Sequence, residues 1–210
     1  MRTSPPDAEP AAMSPAAPTT DATHTFRVVF TAPGADSLEP HLDALAAVGC
    51  DDAAFIGRGA DGTITAEFDR DAPTFAGAVV SALDAIRSAL PGARLLRVLP
   101  DDLVTVAAIA ARTGRSDESV RLLHQGRRGP GGFPAAAGWV NEKTQIWRWT
   151  DVARWFADAL GEPPAGAEHA LFLAALNDAL DLTARAGDLS ERPDELAAVM
   201  RFLPEDLAAA

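Results

Sequence analysis

Apolar residues in the first half of the chain recur with two periods that alternate along the sequence. A period of two residues, typical of strands, marks residues 25–30 and 63–68, and residues 53–57 and 93–99 are predicted as two further short strands. Steps of three and four residues, typical of helices, mark residues 37–48 and 74–90. Gly49 and Pro91–Gly92 supply the expected helix stops. The predicted order of elements is therefore β-α-β-β-α-β.

This order predicts a ferredoxin-like domain over residues 24–100, in which two helices cover one face of a four-stranded antiparallel sheet. Within it, Gly57, Gly59 and Gly62 match the G-x-G-x-x-G fingerprint of dinucleotide-binding proteins. That fingerprint requires a helix next, so that amide N–H groups can hold a pyrophosphate, whereas the following residues alternate like a strand. We therefore interpret these glycines, with Asp61–Gly62, as a hairpin turn.

Two short helices are predicted after the sheet domain. Residues 103–113 have an apolar helical pattern that ends at Gly114, and a second helix starts almost at once. The positions of Ala110, Gly114, Val120 and Leu123 have the spacing of a helix-turn-helix. The small residue lets the helices cross closely, and the glycine redirects the chain. An ordinary helical hairpin of the same size is the alternative.

The second helix is predicted to present a polar face to a DNA groove. With Val120 and Leu123 turned inward, Glu118, Arg121 and Gln125 point outward. Arginine pairs with the O6 and N7 atoms of guanine, glutamine pairs with adenine, and glutamate accepts from the amino group of cytosine.

Other candidate DNA contacts flank that face. Arg115 and Ser116 precede the helix, and Ser116 is its expected N-cap. Further basic residues are expected at neighbouring phosphates, which position a protein without reading sequence. They are Arg127, Arg128 and Lys143. For Arg121, an ion pair with Asp117 one helical turn away is an equally open reading.

A glycine-rich loop, a predicted hairpin and an aromatic helix follow. The stretches "GWV" and "QIWRW" predict two strands around the turn "NEKT", with Trp147 and Trp149 on one face and Arg148 on the other. Thr150 is the expected cap of the next helix. Such a hairpin beside a helix-turn-helix is a wing.

Three stretches of this region resemble winged helix-turn-helix regulators of the AlpA/MerR type, which are excisionase-like DNA-binding proteins. The stretches are "VTVAAIAARTGRSDESVRLL", "GGFPAAAG" and "WRWTDVARWF". The resemblance covers about residues 101–160. It implies a recognition helix from Ser116 to Gln125 in a major groove, with the wing on neighbouring backbone.

The charge distribution agrees with this placement. The formal net charge is -12, but residues 101–150 hold 7 basic and 5 acidic side chains. Residues 1–100 hold 7 and 13, and residues 151–210 hold 4 and 12. The basic segment therefore lies between acidic ones, although an excess of two charges also fits an ordinary solvated surface.

Catalytic chemistry is not indicated. The four histidines are scattered over different segments, none beside a convincing nucleophile or at metal-ligand spacing. Cys50 is the only cysteine, which excludes an internal disulfide and a multi-cysteine zinc site and fits a reducing cytoplasm. We expect no enzyme activity, no cofactor and no metal.

The ends of the chain are read from composition and periodicity. Residues 1–23 are rich in proline, alanine, serine and threonine without a signal peptide or membrane span, which predicts a disordered tail. Residues 161–210 predict two helices in acidic surroundings, which favour contact with protein. These helices either pack on the wing helix or build a dimer.

The sequence thus predicts an α+β protein with a ferredoxin-like βαββαβ domain, a winged helix-turn-helix domain over residues 101–160 and C-terminal helices. We expect a cytoplasmic, sequence-specific regulator that binds double-stranded DNA as a homodimer. We expect no membrane association. The first domain would dimerise or sense a small-molecule effector. The alternative is an antitoxin-like or recombination-accessory protein whose acidic C-terminus binds another protein.

Overall fold

The computed structural model describes residues 21–33, 41–59 and 61–202. Across these residues the chain is a mixed α+β protein with seven helices and two antiparallel sheets. The first strand begins at Ala22, which lies inside the segment predicted as a disordered tail. Residues 1–20, and Leu38 of the first predicted helix, lie outside the described residues.

The first sheet has four strands in the spatial order β2-β3-β1-β4, and all neighbours are antiparallel. Helices follow the first and third strands. The element bounds are β1 Ala22–Thr31, α1 Leu42–Ala47, β2 Ala53–Arg58, β3 Ile64–Ala72, α2 Phe75–Ala89 and β4 Arg94–Leu99. The order of elements along the chain is the one predicted from the periodicity.

One face of this sheet is apolar and the other polar, because successive side chains of a strand point to opposite faces. Phe26, Val28 and Phe30 of β1 are buried in one cluster with the inner side of α2. The opposite face carries cross-strand pairs of polar residues. Thr23 donates to Asp71 (2.5 Å), Thr25 donates to Asp69 (2.6 Å), and Arg27 pairs with Glu67 (2.5 Å). Carboxylates on this face oppose contact with nucleic-acid phosphates.

Gly57 lies within β2, Gly59 and Gly62 lie in the connection to β3, and a strand follows the pattern, as predicted. Asp61 Oδ1 accepts from the backbone N–H of Thr63 (3.1 Å) and from its hydroxyl (2.7 Å). These hydrogen bonds lower the pKa of Asp61. Gly62 has a positive φ, of 82°.

The second sheet has three strands in the order β5-β7-β6 and packs with three helices. The elements are β5 Leu103–Val104, α3 Val106–Thr113, α4 Asp117–His124, β6 Gly138–Val140, β7 Thr144–Arg148 and α5 Trp149–Leu160. Two details differ from the prediction. Leu103 and Val104 pair with β7 instead of starting the helix, and Trp149 begins α5 instead of ending the strand.

The start of α5 shows why the cap was misassigned. Asp102, which is 6% exposed, accepts from the backbone N–H of Thr150 through Oδ1 (2.9 Å). Its carbonyl oxygen accepts from the N–H of Trp149 (2.6 Å). Asp102, 48 residues before Thr150, therefore satisfies two of the free N–H groups at this helix start, and Thr150 is not the N-cap.

Two helices complete the described chain, α6 Ala167–Asp188 and α7 Pro193–Met200. Along α6, Ala170 joins the hydrophobic cluster of the second sheet, whereas Leu173 and Leu180 join that of the first. Asn177 bonds both backbone groups of Val98 on β4, accepting from its N–H (2.8 Å) and donating to its carbonyl (2.9 Å). Helix α6 thus covers the edge of the first sheet and also contacts α5.

Helix α7 has no buried residue; Val199 on it (40%) and Phe202 just beyond it (90%) are exposed. Within the described part of the chain, no helix combines the length and the apolar character that crossing a bilayer would need.

Candidate nucleic-acid interface

The turn between α3 and α4 is built from local hydrogen bonds. Gly114 has the left-handed conformation (φ 65°, ψ 21°), and the N–H of Arg115 donates back to the carbonyl of Ala110 (3.0 Å). Ser116 then caps α4, since its hydroxyl accepts from the N–H of Ser119 (3.2 Å). The chain therefore ends one helix and begins the next within three residues.

The inner side of α4 fixes its orientation. Val120 (0% exposed) and Leu123 (2%) pack with Ile109 and Ala110 of α3 and with the aromatic side chains of β7 and α5. With these positions buried, the residues between them face outward, as the helical wheel predicts.

An open groove of about 480 Å³, here called the α4–ribbon groove, lies between α4, the start of α3 and the β6–β7 ribbon, and Asp117 lines it. Three of the predicted DNA contacts line it. They are Arg121, Gln125 and Lys143. The groove therefore joins the outward face of α4 to the turn of the ribbon, which lies about twenty residues further along the chain.

The turn of the ribbon has the geometry that tight hairpins favour. Asn141 (φ 49°) and Glu142 (φ 59°) both have positive φ values, as in a type I′ turn. Lys143 follows them, is exposed, and is the only lysine of the chain. A flexible point charge at such a tip suits a phosphate contact.

The acidic residues beside Arg121 are close enough to pair with it. Its guanidinium lies 3.7 Å from Asp117 and 3.8 Å from Glu118, and all three side chains are about half exposed or more. Exposed pairs of this kind contribute little stability, so a stronger acceptor can replace the carboxylates. Both readings of Arg121, an ion pair within the helix and a base contact, are compatible with this geometry.

Arg115 is directed away from the groove. It pairs with Glu162 (2.5 Å) beyond the end of α5, and its guanidinium lies 5.5 Å from the centre of the Phe156 ring. Ser116 is occupied as the cap of α4. The structure therefore separates Arg115 from the other candidates and gives Ser116 a structural role.

Arg127 and Arg128 lie at the start of the glycine-rich loop, directly after α4. Their backbone N–H groups both donate to the carbonyl of Leu122 (2.9 and 3.1 Å). The guanidinium of Arg128 also donates to the buried hydroxyl of Ser119 (3.4 Å). Neither arginine belongs to an ion pair within the described residues. They add uncompensated positive charge near the end of the α4 helix.

Two tryptophans hold the rest of that loop. The indole N–H of Trp155 donates to the carbonyl of Gly131 (3.0 Å), and that of Trp147 donates to Pro134 (3.2 Å). Phe133 packs against both rings, with centroids 5.0 and 6.1 Å away. A long loop without regular structure is thereby fixed beside α4.

Sequence reasoning missed one aromatic residue that lines the groove and another that is exposed on the ribbon outside it. His124 lines the groove with its ring 5.3 Å from that of Trp147, and burial together with the charge of Arg121 lowers its pKa. Trp139 is 61% exposed on the edge strand β6. Only the pairing register shows this exposure, since the letters "GWV" do not say which strand is an edge.

Comparison with protein-family models, with curated proteins and with solved structures finds no match to the chain. Among the described residues, no cluster of three or more histidine, cysteine or acidic side chains could hold a metal ion.

Proposed function

We propose that the protein is a sequence-specific DNA-binding regulator without catalytic activity, which reads double-stranded DNA through α4. One observation carries the proposal: the outward face of α4 and the tip of the β6–β7 ribbon line the same exposed groove and supply Arg121, Gln125 and Lys143 to it. Arginine and glutamine are the side chains that pair with guanine and adenine, and lysine suits phosphate.

The architecture supports finer fold assignments. The strand order β2-β3-β1-β4, with a helix after β1 and another after β3, agrees with a ferredoxin-like plan for the first sheet. Helices α3 and α4, the turn at Gly114 and the adjacent ribbon agree with a winged helix-turn-helix.

The distribution of charge supports a local rather than a general affinity for DNA. The open face of the first sheet carries carboxylates, and the arginines around α6 are paired with acidic residues of that helix. By contrast, three basic residues have no acidic partner among the described residues: Arg127, Arg128 and Lys143. A negatively charged molecule therefore restricts its phosphate contacts to the neighbourhood of α4.

The short length of α4 supports a homodimer. Helix α4 has 8 residues and reaches few base pairs, so two copies related by twofold symmetry would double the recognised site. We propose half-sites whose centres are separated by about one helical turn of DNA, or a multiple of it.

The test is selection from a random duplex library, followed by salt titrations of two variants. Arg121→Ala is expected to relax preference at one base position, because a base contact is lost. Lys143→Ala is expected to weaken all duplexes similarly and to reduce the salt slope by about one, because a phosphate contact is lost. Arg154→Ala is the matched control, since Arg154 is exposed on α5 and outside the groove.

A direct readout of the wing comes from the single lysine. Acetylation of Lys143 by an amine-reactive reagent can be followed by mass spectrometry of the peptide that contains it, and bound DNA should protect it. If both variants bind DNA as the wild-type protein does, or if Lys143 is acetylated equally with and without DNA, the proposed interface is wrong.

One observation favours a second function, that of a protein-interaction partner. Helix α7 buries none of its residues and exposes apolar side chains in acidic surroundings. If library selection returns no motif, and if replacing Val199 and Phe202 by serine abolishes a stoichiometric protein complex, this second function replaces the first.

A further inference from the structure

An open cavity of about 410 Å³ lies where the first sheet meets α3. Arg27 and Glu67 contribute to it from the polar face of the sheet, Leu99 and Pro100 from the end of β4, and Arg112 from the last turn of α3. This volume is within the range of sites that bind small molecules. None of the groove residues of α4 or of the ribbon takes part.

The charged groups around the cavity are paired with one exception. Glu67 is neutralised by Arg27 (2.5 Å), and Asp101 accepts from Arg97. Arg112 forms no ion pair among the described residues, although the charges of Asp101 and Asp102 oppose the effect of burial on its pKa. It donates through Nη2 to the backbone carbonyl of Asp101 (2.7 Å), and its guanidinium lies 4.9 Å from the centre of the Trp149 ring.

The second nitrogen of that guanidinium lacks any partner. Within the part of the chain that the structure describes, Arg112 Nη1 is the one buried side-chain polar atom without a hydrogen-bond acceptor. Burial also lowers the pKa of Arg112, although arginine remains charged in proteins. A buried charged donor without an acceptor is costly, so the site gains free energy if an acceptor is supplied.

We infer that this cavity binds a small organic carboxylate, whose charged end accepts from Arg112 and whose apolar body lies against Leu99 and Pro100. A carboxylate fits because guanidinium presents two parallel N–H donors with the spacing of the two carboxylate oxygens. Arg112 already lines the cavity, whereas its Nη1 atom is buried, so binding would require a rotation about the terminal torsions of the side chain.

Such a ligand would contact both halves of the molecule. Arg112 lies two residues before Gly114, whereas Leu99 and Pro100 belong to the end of the first sheet and the chain segment after it. The anion site does not depend on the proposed DNA binding, since every measurement below uses only the protein and a small molecule.

The probe is benzoate, and benzyl alcohol is its uncharged counterpart. Titration of wild-type protein, followed by isothermal calorimetry, is expected to show saturable binding of benzoate and none of benzyl alcohol. In Arg112→Gln the dissociation constant should rise at least about tenfold, because charge-assisted hydrogen bonds are lost. Arg154→Gln removes an exposed arginine outside the cavity and should leave the dissociation constant unchanged.

A measurement on the wild-type protein guards against misfolding of the variant. The chain has four tryptophans, and Trp149 alone stacks on Arg112. In nitrogen-15 NMR spectra, benzoate should shift the indole signal of Trp149 and leave that of the exposed Trp139 in place. Absence of benzoate binding, equal affinity in Arg112→Gln, or shifts at Trp139 in place of Trp149 would each overturn the inference.

Discussion

Single polar residues fix the start of α5 and, through it, the β6–β7 ribbon. Asp102 is buried, holds the N–H of Thr150 and also pairs with Arg148 (3.2 Å). Arg148 ends β7 and precedes α5, so one carboxylate ties the end of a strand to the start of a helix. Thr150 has the residue type of a cap and makes no such hydrogen bond.

The roles of these two residues can be separated by substitution. Asp102→Ala removes the acceptor at the helix start and should lower the free energy of unfolding by about 2 kcal/mol, as cap losses and unpaired buried groups do. Thr150→Ala should change it by less than about 0.5 kcal/mol, since only a partly exposed side chain is lost. Urea denaturation measures both. Equal losses would show that Thr150 contributes a cap after all.

At the scale of elements, the local signals were sufficient for the helix pair. The left-handed Gly114 and the cap Ser116 act within a few residues, so their letters determine the turn. Signals that depend on distant partners could not be read in the same way. Leu103 and Val104 pair with residues of β7 that lie more than forty positions later in the chain. The extension of α5 back to Trp149 depends on the carbonyl of Asp102, which is equally distant in sequence.

The same limit applies to the candidate site. The wheel of α4 placed Arg121 and Gln125 outward correctly, because burial of Val120 and Leu123 follows from periodicity. It could not show that Arg115 would turn to Glu162, which follows α5, or that Trp139 would lie on an edge strand. Both depend on which elements become neighbours in three dimensions.

The turn between α3 and α4 can be tested with two glycines that differ in backbone conformation. A Cβ atom at Gly114 or at Gly187 would meet no other atom within 4 Å. Gly114→Ala should nevertheless lower the free energy of unfolding by about 1 kcal/mol, because its φ is 65°. Gly187→Ala lies within α6 and should raise it by up to about 1 kcal/mol. Thermal unfolding that moves both variants in the same direction would contradict this account of the turn.

At the scale of the whole molecule, α6 connects the two hydrophobic clusters. Its first turns pack with the cluster of the second sheet, and its later turns pack with that of the first. Ion pairs reinforce the junction, since Arg97 pairs with Asp181 (3.0 Å) and Arg148 approaches Asp178 (3.8 Å). The two sheets are thus held by one shared helix, which makes their stabilities interdependent.

Asn177 gives the sharpest test of that connection, because it is 4% exposed and its amide satisfies both backbone groups of Val98. Asn177→Asp keeps the size and the acceptor but places a carboxylate against the carbonyl of Val98, which should cost about 2 kcal/mol at pH 7. Burial raises the pKa of the introduced carboxyl in the folded state. The folded protein then binds more protons than the unfolded chain, so the loss should shrink as the pH falls below that pKa.

Asn177→Leu is the control, since it removes both hydrogen bonds without adding a titrating group. Its loss of stability should not diminish in this way as the pH falls.

All four tryptophans lie between residues 139 and 155, so their fluorescence reports on the second sheet and its helices, whereas circular dichroism reports on the whole chain. If α6 couples the two sheets, the Asn177→Asp variant should shift both denaturation curves to the same lower urea concentration. A shift in circular dichroism with unchanged fluorescence would show instead that the two sheets unfold independently.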